Sequence, residues 1–230
     1  VRNMVLAIAL LATVGTTPLQ AGAAGTATAS PAVEAQGHPN GQSGQKTVCI
    51  SPKAVQLGNT MRRLWSDHVT WTRNYIVSAL AGLEDQQTTL NRLLQNQQDI
   101  GNAIKPYYGD AAGDKLAGLL REHILIAGRI VAAAKAGQTA EVEKLDKEWH
   151  RNGDEIVKFL HSANPDNWPY QQLKDMFDKH LELVTEALTT RLKKDWAGDV
   201  AAYDKGQAHL AMLADTLTEG IVKQFPQKFA

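Results

Sequence analysis

The chain has one cysteine in 230 residues, Cys49, so no internal disulfide can staple it. Charge of either sign is not in excess: 24 lysines and arginines meet 24 aspartates and glutamates, and the formal charge is zero. A nucleic-acid binder carries a basic footprint, and none is present, so no nucleic-acid partner is expected. Aromatic residues make up 6% of the chain, and β-branched runs are rare. From Ala54 onward Ala, Leu, Gln, Lys and Glu dominate, which favours helix. Beyond the N-terminal region no segment approaches the ~18 apolar residues of a membrane-spanning helix. There is no G-x-x-x-x-G-K-S/T phosphate loop, no G-x-G-x-x-G turn and no G-x-S-x-G nucleophile elbow. Without Glu-x-x-His the di-iron carboxylate bundles are excluded, and without His-Glu-x-x-His the common zinc-protease helix.

The N-terminus is informative. In "VRNMVLAIALLATVGTTPLQAGAAG" Arg2 precedes an apolar run from Val5 to Val14, and Ala21-Gly22-Ala23 supplies a small-residue cleavage pattern. This layout predicts a secretory signal peptide over residues 1–23 and an exported protein, periplasmic or extracellular, with no membrane span in its mature form. Residues 24–52 are rich in Gly, Ala, Ser, Thr, Gln and Pro without apolar periodicity, the composition of a disordered linker. Cys49 lies near its end, as a free thiol or an intermolecular partner.

Residues 53–226 predict an all-α domain: an antiparallel up-down bundle of four to five long helices plus one short connecting helix, with residues 227–230 as a C-terminal tail. The first stripe is Leu57, Met61, Leu64, His68, Trp71, Tyr75 and Ser78. The second, from about Asp110, is Leu116, Leu120, His123, Ala127, Ile130 and Ala134, and Gly137 stops it. The third follows Thr139 as N-cap: Val142, Leu145, Trp149, Asn152, Ile156 and Phe159. "SANPDNWP" breaks the chain before the fourth, with Leu173, Phe177, His180, Val184, Ala187 and Arg191. Asp195 caps the fifth, with Trp196, Val200, Tyr203, Gln207, Leu210, Ala214, Leu217 and Ile221. The segment 83–109 has Leu90, Leu93, Gln97, Ile100 and Ile104 at helical spacing and predicts the short connecting helix.

Three of these stripes carry a histidine, and hairpin symmetry sets their heights. His123, Asn152, His180 and the Gln207–His209 pair each lie ~14 residues from the nearest interhelical turn, or ~21 Å at 1.5 Å per residue. His68 is the same distance from the end of its helix. The spacing therefore predicts a polar layer at mid-bundle height. Imidazoles projecting inward from facing helices are a bundle's means of holding a metal. The candidate ligand set is His68, His123, His180, His209, Asp204 and Asn152, for a mononuclear transition-metal site of Zn, Fe, Mn or Cu, or for a small anion on protonated imidazoles. The alternative is a non-catalytic structural or interaction module whose His, Asn and Gln layer only fixes helix register. A third reading places an enzyme site at His150 and Asp154, an i,i+4 pair beside the third stripe. Homo-oligomerisation stays open, because a fifth helix can cap the bundle or dock on a second chain.

The segments "LWSDHVTWTR", "REHILIAGRIV", "NGDEIVKFLHSANP", "DKHLEL" and "MLADTLTEGIVKQFP" resemble an uncharacterised family of small bacterial helical-bundle proteins. The likeness covers most of residues 57–226. Some members carry glycosyltransferase or acetylglutamate kinase labels, which imply nucleotide-sugar or phosphate cradles that this chain's motifs do not supply. The resemblance implies a fold, and it falls on His68, Trp71, Thr72, Arg73, His123, Asn152, Asp154, His180, Asp204 and Asp215. His209 lies outside the family pattern. The layout is also distantly similar to hemerythrin- and ferritin-type bundles, a likeness of architecture alone.

Overall fold

A computed structural model describes residues 51–230; the expected signal peptide, nearly all of the expected linker and Cys49 lie outside the described residues. Six helices make up nearly all of the described chain: α1 Pro52–Ala81, α2 Gln86–Tyr108, α3 Asp110–Lys135, α4 Thr139–Ala163, α5 Tyr170–Leu192 and α6 Trp196–Gln224. No strand occurs among the described residues, and none of these helices is long and apolar enough to cross a membrane. The expected short connecting helix is a full one: α2 runs for 23 residues, with Pro106 tolerated in its last turn.

Local chemistry sets the boundaries. Pro52 opens α1, where its missing N–H would have had no partner in any case. Gly82, Gly109 and Gly137 close α1, α2 and α3 with φ of 69°, 84° and 69°, a region that glycine enters without a Cβ clash. Asp195 caps α6, its Oδ1 accepting from the Gly198 backbone N–H at 2.9 Å. Thr139 is the first residue of α4 rather than its cap.

Each helix packs on the next through a short turn, and α6 returns to pack on α1, which also touches α3 and α5. The Arg62–Asp215 and Arg73–Asp199 ion pairs confirm that α1 and α6 run antiparallel, since rising numbers on one meet falling numbers on the other. The last residues fold back instead of trailing: Phe229 is buried and stacks on Tyr107 at 5.6 Å, and Lys53 donates to the Ala230 carbonyl.

The core is in two parts. One cluster holds Leu64, Ile100, Leu120, Ile156, Phe177 and Leu213; the other holds Tyr75, Leu93, Ile124, Trp149 and Leu181. On every helix from α1 to α5 the switch between clusters falls at a polar residue: His68, Asn96–Gln97, His123, Asn152 and His180.

Candidate functional site

The polar layer predicted from hairpin symmetry is present and buried. His68 and His123 are each 2% exposed, Asn152 1% and His180 6%. The His180 ring neighbours the other two, 5.4 Å from His68 and 6.1 Å from His123 between centroids. Trp65 and Trp149 close the flanks, at 5.7 Å from His68 and 5.0 Å from His123.

Hydrogen bonds fix the tautomer of His123. The Asn152 amide nitrogen donates to the Leu119 carbonyl at 3.2 Å, so its Oδ1 is the atom facing His123 Nδ1 at 2.8 Å. Nδ1 therefore carries the proton and donates it. Nε2 is left as a bare lone pair, buried and without a partner. His68 Nδ1 is likewise buried and unpartnered, as is the Trp65 indole N–H. Buried polar atoms without partners are rare in folded proteins and call for a ligand, a water or strain as explanation.

Burial also sets the charge of the layer. Desolvation pushes the His68 pKa down to about 4, partly countered by the Gln97 amide, and His123 down to about 3, partly countered by Asn152. His180 is held well below the ordinary value by desolvation first and then by the other histidines. These shifts all favour the neutral imidazole, a form that gives the alternative ligand, a small anion, no charge to pair with. Neutral imidazole is the form that offers a lone pair to a metal.

Other expected ligands are placed differently. Asp204 is exposed on the outer face of α6 and is not in the layer. His209 is buried, but its Nε2 donates to the Met176 carbonyl at 2.7 Å. Asn152 orients His123 and is spent on that contact and on Leu119. Gln207 bonds Thr70 and Tyr203 near the surface. His150 Nδ1 donates to the Asp146 carbonyl, and Asp154 binds Lys158 and Tyr170, so the His150–Asp154 pair does not form. Among the described residues no three His, Cys, Asp or Glu side chains stand together as a ready metal cage.

Sequence reasoning missed two contributors. Asn96 and Gln97 of α2 are fully buried in the layer, Asn96 donating to the Leu64 carbonyl at 2.9 Å. The signal was present, since Gln97 interrupts an apolar stripe just as His68 does. A second buried polar group lies toward the other end of α5: Asp199 accepts from Arg73 at 2.7 Å and from Arg191 at 2.9 Å, joining α1, α5 and α6. Searches of protein-family models, curated proteins and solved structures find no match to this chain, so the functional argument rests on the layer itself.

Proposed function

We propose that the layer binds a single transition-metal ion through His68, His123 and His180, and that the protein does so after export. The observation that carries this reading is the pair of buried, unpartnered imidazole nitrogens, His68 Nδ1 and His123 Nε2, on two rings that both neighbour His180. Two imidazoles on a tetrahedral ion, each nitrogen about 2.0–2.1 Å away, put ring centroids about 5 Å apart. The 5.4 and 6.1 Å separations of His180 from His68 and His123 are both longer than that, so the rings would have to close inward on the ion. Asn152 on Nδ1 of His123 is the outer partner that a ligating histidine ordinarily has.

The donor set ranks the metals. With only imidazole nitrogens and no carboxylate, Mn is disfavoured and Cu, Zn or Fe are preferred. A divalent ion would bring uncompensated charge into a dry layer, so monovalent copper, or zinc carrying hydroxide, suits it best. Export is supported by Arg2, the Val5–Val14 apolar run and the Ala21-Gly22-Ala23 site. The resemblance to the small bacterial bundle family rests on the five quoted segments and adds no activity.

Elemental analysis of protein purified from the periplasm without chelator, beside His68→Ala and His123→Ala variants, tests the proposal. Near-stoichiometric Cu or Zn that is lost in both variants, with helicity kept, is the expected result. Wild-type protein that stays metal-free after reloading with Cu and Zn overturns it.

One observation favours a second reading, a layer that only sets register: it divides the core at the same height on five helices, and Asn96, Asn152 and His209 are satisfied within the protein. In that case the alanine variants lose only stability, about 1–3 kcal/mol for each orphaned partner.

A further inference from the structure

Beside His180, between α1, α5 and α6, lies a chamber of about 30 Å³. Its walls are aliphatic, from Val69, Ile76, Leu183, Val184, Ala187 and Ala202. Arg73 and Tyr203 border it on the outer side, where the Arg73 side chain is 30% exposed against 6% for His180 at the inner end. A second apolar chamber of about 30 Å³ lies behind it, among Leu93, Ile124, Ile130 and Trp149. The two share Thr72, Ile76 and Val184 as a common wall.

We infer that the chamber at His180 is a binding site for a small uncharged molecule of diatomic size. Three observations select that class. The first is volume: ~10–15 Å³ by this measure holds one water and ~150 Å³ holds benzene, so the chamber suits a diatomic molecule or a single xenon atom. The second is the lining, which gives a charged ligand no compensation for the water it would leave. The third is the Arg73 guanidinium, already held by Asp199 at 2.7 Å and lying 5.2 Å from the centre of the Tyr203 ring. An anion would have to compete with Asp199 for the Arg73 charge, while Arg73 Nε, buried and without a partner, is a donor open to a bound molecule. Thr72 Oγ1, buried and unpartnered at the shared wall, is a donor left over for a bound molecule. The bound molecule would lie against the imidazole that the proposed metal shares, but the inference rests on the chamber and stands without the metal.

The test uses the full chain, with and without added metal, and xenon as the probe. Methyl and histidine-ring NMR spectra are recorded under increasing xenon pressure for wild type, Ala202→Leu and Ala187→Leu. The expected result is saturable shifts at Val69, Val184, Ala202 and His180 in wild type, lost in both filled variants while their helicity is unchanged. Shifts that never saturate in wild type, or saturable shifts that persist in both filled variants, overturn it. Metal content measured on the same samples separates this idea from the metal proposal, because filling the chamber leaves His68 and His123 in place.

Discussion

At the scale of single residues, burial makes the histidines acid-sensitive. The folded-state values of about 4 for His68 and about 3 for His123 lie below the ordinary value of ~6.5 that the unfolded chain keeps. Between those limits the unfolded state binds more protons, so acid favours unfolding. The stability contributed by neutral burial is complete above pH ~6.5 and is lost as pH falls toward the folded values, by about 3 kcal/mol for His68 and about 5 kcal/mol for His123. Urea midpoints should therefore drop steadily between pH 6.5 and 5, before most carboxylates titrate, and His68→Gln should flatten that slope. An equal slope in wild type and variant would show that this imidazole does not drive it. These residues were legible from the sequence because α1, α3 and α5 keep one apolar stripe through the histidine. Asp204 was misplaced because apolar residues surround α6: Trp196 and Val200, read as inward, are 55% and 51% exposed. Asp199, Ala202, Gly206 and His209 take the inner face instead. Periodicity cannot choose between two faces when both carry apolar side chains.

At the scale of elements, the contact between α2 and α3 shows what the sequence could not. The α2 sequence is rich in Asn and Gln, so it read as a short connector, yet it packs closely on α3 through glycine. A Cβ added at Gly101 would lie 2.5 Å from the Gly113 carbonyl and 2.8 Å from the Ala117 Cβ. Both obstacles belong to the helix framework and cannot rotate aside. Alanine gains ~1 kcal/mol in helix propensity, but forcing the helices apart costs about 1–3 kcal/mol. Gly101→Ala should therefore be destabilising or at best neutral. At Gly118, also within α3, an added Cβ meets nothing within 4 Å, and Gly118→Ala should stabilise by about 0.5–1 kcal/mol. Thermal or urea unfolding of the two variants checks the contrast, and the reverse order would refute the close approach. The boundaries were legible because Gly82, Gly137 and Asp195 act locally. Which glycine carries a crossing depends on the partner helix, which no single stretch of sequence contains.

At the scale of the whole molecule, the question is why a bundle would interrupt its core with imidazoles and amides on five helices. A layer kept for stability makes poor sense, because replacing both partners of a buried hydrogen bond by apolar groups is often neutral or stabilising. His123 and Asn152 form such a pair at 2.8 Å, between Leu120 and Ile156 on one side and Ile124 and Trp149 on the other. The double change His123→Leu with Asn152→Leu would join the two clusters through this point and leave only the Leu119 carbonyl without its side-chain donor, since the Trp149 N–H bonds the backbone carbonyl of residue 123, which the change keeps. If the layer exists to hold a metal, the double variant should be as stable as wild type or more so, keep one dispersed set of NMR resonances, and bind no Cu or Zn. If the layer exists to fix register, the same variant should keep its helicity but lose uniqueness, with broadened or duplicated resonances from alternative helix pairings. The measurement separates the two because it removes donor atoms and the register signal together while preserving the apolar volume that holds the bundle closed. A stable, uniquely folded, metal-free variant would leave ligand binding as the reason that three helices carry histidine at one height.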